Sequence, residues 1–167
     1  MRQRQVSQGT RRAREFEAFV AGAAGRLLHA ATLLTAEAPD DNPRARRLLT
    51  LALAHTYACW DRLRGEDPYD RARQYLALRF AHGAWRRHGI LFLGRSHAVG
   101  PLSELAPQER LIVVLRLYEG VAEEQAAALL GLPAERVHTI CDRATATLLH
   151  PPRGPSPAVV GAKVAAS

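Results

Sequence analysis

Apolar residues recur along this chain at the spacing of an α-helix, and no stretch shows the strict alternation of a half-buried strand. In the N-terminal half this periodicity predicts three helices, over residues 11–36, 44–64 and 68–88. The apolar stripe of the first helix consists of Phe16, Phe19, Val20, Ala23, Leu27, Ala30, Ala31 and Leu34. The pattern therefore predicts an all-α protein.

Turn-forming residues separate these helices. The segment Pro39 to Pro43 reads P-D-D-N-P, a concentration of residues that favour turns. Residues 65–67 interrupt the pattern again, and there Asp67 can cap the next helix, with Pro68 at its first position. The breaks thus agree with the hydrophobic periodicity.

The C-terminal half contains three shorter helical patterns. Pro107 can begin the first, and Gly120 ends it. A short helix over residues 123–130 is followed by Gly131, which can take the left-handed conformation of a tight turn. Pro133 then opens a longer helix that carries an apolar stripe. A short helix, a glycine-bearing turn and a longer helix predict a helix-turn-helix.

This C-terminal stretch resembles the fourth conserved region of the extracytoplasmic-function sigma factors of bacterial RNA polymerase. The resemblance rests on an ordered set of motifs: Leu105, Pro107, the pair Glu109 and Arg110, an aliphatic run, Tyr118 to Gly120, and Glu124 to Gly131. Response-regulator output domains share this pattern. The N-terminal half argues against them, because a receiver domain needs strands alternating with helices.

The N-terminal helices resemble the second conserved region of the same family. The matching residues are Phe16 to Val20, Arg26 to Leu34, the set Thr56, Tyr57 and Trp60, Asp67 to Tyr69 with Ala72 and Arg73, and Trp85 to Arg87. The resemblance implies a three-helix module followed by the helix-turn-helix module. The expected division is a flexible basic arm (1–10), a region 2-like domain (11–89), a short linker (90–104), a region 4-like domain (105–149) and a disordered tail (150–167).

Composition is compatible with this division. The 167 residues suffice for one medium domain or two small ones, and 47% hydrophobic with 23% charged residues indicates a globular chain. The formal net charge of +7 favours an acidic partner such as nucleic acid. Cys59 and Cys141 lie in different halves and form no disulfide framework. Without a signal peptide or a long apolar run, a cytoplasmic protein with no membrane contact is expected.

The resemblance implies core RNA polymerase as a partner, contacted by the second helix. The residues at the corresponding surface are Arg47, Leu48, Leu51 and His55. The family carries an aspartate and a glutamate where this chain has Arg47 and Leu51. A charge reversal at an interface costs several kcal/mol when buried, so weakened polymerase binding is expected.

The resemblance also implies promoter DNA as a partner. The expected DNA-binding residues are Arg136, His138, Thr139 and Arg143 on the last helix, together with Trp85, Arg86 and Arg87. Residues 105–149 carry four arginines against six acidic residues, a formal balance of −2, whereas residues 11–88 carry +5. Proteins that bind duplex DNA usually present excess positive charge to the phosphates. The C-terminal half alone should therefore bind DNA weakly.

No pattern indicates catalysis, a cofactor or a metal. His138 and Cys141 lie three residues apart, but no second ligand pair with zinc spacing accompanies them. Two functions remain open. One is a sigma-type initiation factor that binds core polymerase and promoter DNA. The other is a sigma-derived regulatory protein that acts through protein contacts, with an anti-sigma or other regulatory protein as a possible partner.

Overall fold

The computed structural model describes residues 2–63, 65–88 and 99–150, with side chains described for residues 8–63, 65–83 and 99–150. This part of the chain is helical and contains no strand, which confirms the all-α fold class. The elements are α1 (Arg2–Thr35), α2 (Pro43–Cys59), α3 (Pro68–His88), α4 (Pro107–Val113), α5 (Glu123–Leu130) and α6 (Ala134–Leu149). A 3₁₀ turn, Trp60–Arg62, extends α2, and a π-helical turn, Val114–Tyr118, extends α4.

Helix α1 is longer than its apolar stripe. It begins at Arg2, so residues 2–10 continue the helix, and the prediction of a loose arm over residues 1–10 was wrong for them. Arginine and glutamine are good helix formers, and Gly9 alone does not stop an established helix. The helix ends at Thr35, where Ala36 takes a left-handed φ of 52°.

The first backbone amides of helix α2 bind the buried carboxylate of Glu37. Glu37 accepts hydrogen bonds from the backbone N–H of Ala45 (2.8 Å) and of Arg44 (3.1 Å), and from Nε of Arg44 (3.0 Å). Burial acts to raise the pKa of Glu37, but these bonds outweigh it, so the pKa is lowered. Glu37 therefore caps a helix whose first residue, Pro43, has no N–H to satisfy.

The helix-turn-helix elements agree closely with the sequence prediction. Helix α5 spans the predicted residues, and Gly131 adopts φ 65° in the turn before α6. The first C-terminal helix departs from regular geometry in its last turn, where the N–H of Glu119 donates to the carbonyl of Val114 at 2.9 Å. This π-helical turn places one extra residue in the helix before Gly120 ends it.

The two halves share one hydrophobic core. Its largest cluster joins Leu34, Leu76 and Phe80 of the N-terminal half to Ile112 and Val137 of the C-terminal half. A smaller cluster of Ala23, Leu27 and Ala72 lies between α1 and α3. Helix α4 packs on both α1 and α3, so the helix-turn-helix rests directly on the N-terminal helices.

The segment before α4 also docks on the N-terminal half. The amides of Val99 and Gly100 both donate to the carbonyl of Ala36 at 3.1 Å. Most of the predicted linker, including the apolar run of residues 90–93, lies outside the described residues. The predicted disordered tail beyond residue 150 does too.

Among the residues that the structure describes, one helix is long and apolar enough to cross a membrane by length and composition alone. It is the stretch Gln8–Thr35, with a mean hydropathy of 1.3 in its most apolar window. The expectation that no apolar run approaches spanning length was therefore wrong. The buried side of this helix packs against α2, α3 and α4, as a core helix of a folded domain also does.

Candidate nucleic-acid and partner-binding surfaces

The outward face of α6 carries the four predicted DNA-binding residues of the C-terminal half. Val137, Ile140, Cys141 and Ala144 are buried, and Ile140 and Cys141 anchor the helix on its apolar side. Burial raises the pKa of the Cys141 thiol, in keeping with a packing role. The opposite positions, Arg136, His138, Thr139 and Arg143, are all exposed.

Three of these four side chains already have polar partners within the chain. Arg143 binds one carboxylate oxygen of Glu109 through Nε (3.0 Å) and Nη2 (2.8 Å). The Thr139 hydroxyl donates to the carbonyl of Glu135 at 2.7 Å. These contacts hold both side chains along the helix surface.

His138 lies between two acids. Its Nδ1 is 3.2 Å from Oε2 of Glu123, and its Nε2 is 3.2 Å from Oδ2 of Asp142. Arg136 is exposed and, within the described part of the chain, belongs to no ion pair. Its guanidinium is thus less engaged within the chain than that of Arg143.

The predicted polymerase-binding residues do not form one outward face of α2. Arg47 is exposed, whereas Leu48 packs against the main core. Leu51 is half-buried, and the His55 ring stacks on Tyr75 with centroids 4.1 Å apart. Arg47 and part of Leu51 therefore remain for a partner, while Leu48 and His55 contribute mainly to packing.

Trp85, Arg86 and Arg87 belong to the last turn of α3, but their side chains lie outside the described residues. Their proposed contact with promoter DNA stays a prediction. Across the described residues, no group of three or more His, Cys, Asp or Glu side chains is arranged to hold a metal ion.

The arginines near the start of α1, Arg11, Arg12 and Arg14, are partly engaged in packing. Arg12 binds the carboxylate of Asp61 at 2.9 Å, and its guanidinium lies 4.2 Å from the ring centroid of Tyr57. Tyr57 and Trp60 pack in turn on Phe16. Arg12 thus joins α1 to the end of α2, a role that the sequence pattern did not indicate because its partner is 49 residues away.

A polar surface groove of about 740 Å³ lies beside this contact. The residues that line it are Gln8, Gly9, Arg11, Arg12, Glu15, Trp60 and Asp61. Two arginines face two carboxylates there, so the groove presents no excess of either charge.

Comparison with known proteins shows a family match for the helix-turn-helix and two relatives for most of the chain. The family described as Sigma-70, region 4 matches residues 102–149, which comprise α4, α5 and α6. The RNA polymerase sigma-E factor of Streptomyces coelicolor is 28% identical over 152 aligned positions, covering 80% of this chain and 84% of that protein. The sigma-E factor of Streptomyces avermitilis is also 28% identical, with 80% and 83% covered.

No solved structure gives a significant match to the chain. The region 4 match coincides with the helix-turn-helix described above, and the similarity to the two sigma-E factors extends well beyond it into the N-terminal helices. The resemblance drawn from the sequence motifs is confirmed: residues 102–149 match the Sigma-70, region 4 family, and most of the chain is similar to the two Streptomyces sigma-E factors.

Proposed function

We propose that this chain is a sigma-factor-like transcription initiation protein, which binds core RNA polymerase and contacts promoter DNA in the cytoplasm. It acts by binding and has no catalytic role of its own. The single observation that carries the proposal is the exposed face of α6. This second helix of the matched helix-turn-helix presents Arg136 on an exposed face, with no ion-pair partner among the described residues, as a major-groove reader requires.

Reconstituted transcription tests this proposal directly. The purified full chain, added to core RNA polymerase and a library of promoter fragments, should produce transcripts from a defined subset of promoters. Core polymerase alone should not. A chain that binds neither core polymerase nor any promoter in the presence of core would refute the proposal.

A second function is favoured by a different observation. Three donors of α6 are already bound within the chain, and two acids, Glu123 and Asp142, flank His138. Such a face suits a sigma-derived regulatory protein that acts through protein contacts, including contacts with an anti-sigma protein. A pull-down from cell extract separates the two functions, because an initiation factor recovers the polymerase subunits and a regulator of this kind recovers other proteins.

The surface of α2 gives a sharper test of polymerase binding. Arg47 and Leu51 stand where the resemblance implies acidic residues. The double substitution Arg47→Asp with Leu51→Glu should therefore tighten binding to core polymerase roughly tenfold, or about 1.4 kcal/mol. Binding is measured by fluorescence anisotropy with labelled chain.

The control for that experiment is Arg79→Asp, an exposed charge reversal on α3 that changes net charge without altering α2. Equal tightening by Arg79→Asp would assign the effect to net charge. Tight binding by the unmodified chain, with no gain from the double substitution, would mean that α2 already provides a complete polymerase contact.

A further inference from the structure

The carboxylate of Glu119 is buried at the contact between the two halves of the molecule. Only 1% of its side chain is exposed, and it directly follows the π-helical turn of the C-terminal half. A carboxylate removed from water is costly unless charged or hydrogen-bonding groups surround it. The groups that surround Glu119 must therefore stabilise its carboxylate at the contact between the two halves.

Those groups come from the N-terminal half. The Tyr69 hydroxyl of α3 lies 2.9 Å from one oxygen of Glu119 and 3.0 Å from the other. Arg26 of α1 places Nη2 at 3.4 Å from Oε2, and Arg73 of α3 places Nη1 at 3.8 Å from it. Three side chains on two helices thus converge on one carboxylate.

The neighbouring contacts confirm that this is one polar cluster. Arg26 also donates to the carbonyl of Tyr118 at 3.4 Å, and its guanidinium lies 5.3 Å from the ring centroid of Tyr69. Burial, together with the hydrogen bond to Glu119 and its charge, raises the pKa of Tyr69, so the phenol keeps the proton that it donates. Arg73 keeps a second partner, Asp70, at 2.9 Å.

We propose that Glu119 is the positioning residue that gives the helix-turn-helix half a single orientation on the N-terminal half. The apolar contacts between the halves are non-directional, because hydrophobic burial depends on area and not on orientation. The contacts of the buried carboxylate are directional, because any other orientation of the halves leaves it away from its donors. If the proposed function holds, the same contact fixes α6 relative to the end of α3.

The test measures distances in the full chain and needs neither DNA nor polymerase. Spin labels are attached at two introduced cysteines in a background of Cys59→Ser and Cys141→Ala. One pair, Ala54→Cys with Ala146→Cys, spans the two halves from exposed positions on α2 and α6. The other pair, Ala128→Cys with Ala146→Cys, lies within the C-terminal half.

The expected result separates positioning from folding. Glu119→Gln keeps the size of the side chain but loses its charge, so the distribution of distances between the halves should broaden and shift. The distribution within the C-terminal half and the helical content should stay unchanged. Tyr69→Phe should broaden the distribution between the halves in the same direction, to a smaller extent.

Asp70→Asn is the matched control, because it removes the other acid bound to Arg73 and leaves the Glu119 contacts in place. Its distance distribution should stay narrow. An unchanged, narrow distribution in Glu119→Gln would overturn the proposal. If Glu119→Gln loses helical content, Tyr69→Phe decides, and a narrow, unshifted distribution in that variant overturns the proposal.

Discussion

Arg136 and Arg143 lie on the same exposed face of α6 but have different surroundings. Arg143 is bound to Glu109, whereas Arg136 is in no ion pair within the described residues. In a core-polymerase complex, Arg136→Ala should change the preference for one base pair by about 1–3 kcal/mol, and Arg143→Ala should change it less. Anisotropy titrations against promoters that differ at single positions measure both. Equal effects of the two substitutions would contradict this difference in roles.

Glu37 should make stability depend on pH. Its pKa is lower in the folded chain than in the unfolded one, so its contribution is complete above the unfolded pKa. The contribution is lost as pH falls through the lower, folded pKa. Glu37→Gln should reduce the free energy of unfolding by about 1–3 kcal/mol at pH 7, and by less in acid. Urea denaturation at pH 7 and at an acidic pH below the folded pKa of Glu37 measures the two free energies of unfolding.

Asp40→Asn is the control for that measurement, because Asp40 is an exposed acid in the same turn. It should leave the free energy of unfolding nearly unchanged at either pH. A Glu37→Gln effect that is equally large at pH 7 and in strong acid would show that shape, and not charge, makes this contact stable.

At the scale of elements, Gly100 joins the segment before α4 to the end of α1. A Cβ at this position would lie 2.7 Å from the carbonyl oxygen of Glu37 and 3.0 Å from the carbonyl carbon of Ala36. Because both atoms belong to the backbone, Gly100→Ala should destabilise the fold by about 1–3 kcal/mol. Thermal denaturation measures the change.

Gly22→Ala is the matched control. Gly22 lies inside α1 with no atom close to an added Cβ, so alanine there should stabilise the helix by about 0.5–1 kcal/mol. Opposite signs for the two substitutions are the expected outcome. A neutral Gly100→Ala would mean that the segment before α4 moves away without cost.

At the scale of the molecule, positive charge is concentrated in the N-terminal half. Arg11 and Arg14 are exposed on α1, while Arg12 is held by Asp61. Replacing Arg11 and Arg14 with glutamine should weaken duplex binding for all sequences. It should also reduce the slope of log affinity against log salt by roughly one to two. Titrations at two salt concentrations measure the slope.

Arg12→Gln serves as the control for charge alone. It should lower stability, because it removes the contact between α1 and the end of α2, and it should change the salt slope less than the double substitution does. If Arg12→Gln alone reproduces the loss of slope, the phosphate contacts lie at the packed arginine and not at the exposed ones.

Local features of the sequence determined which segments are helical. Apolar spacing, Pro68, Pro107 and the left-handed Gly131 act within about one helical turn, so the bounds of α3 and α5 and the turn between α5 and α6 could be predicted. The same local rules failed at the start of α1, because a polar helix has no apolar stripe to reveal it.

Only the tertiary structure decided what the charged side chains do. Arg143 and Glu109 are 34 residues apart, and Tyr69 and Glu119 are 50 apart. Each arginine could pair with any of several acidic residues. Hydrophobic periodicity predicts the face of a helix on which a side chain lies, but not which neighbouring helix that face contacts. Packing of α4 against α1 and α3 brings Glu119 to its donors. Packing of α4 against α6 places Glu109 beside Arg143. Charge pairing therefore depends on how the helices cross, which no local pattern contains.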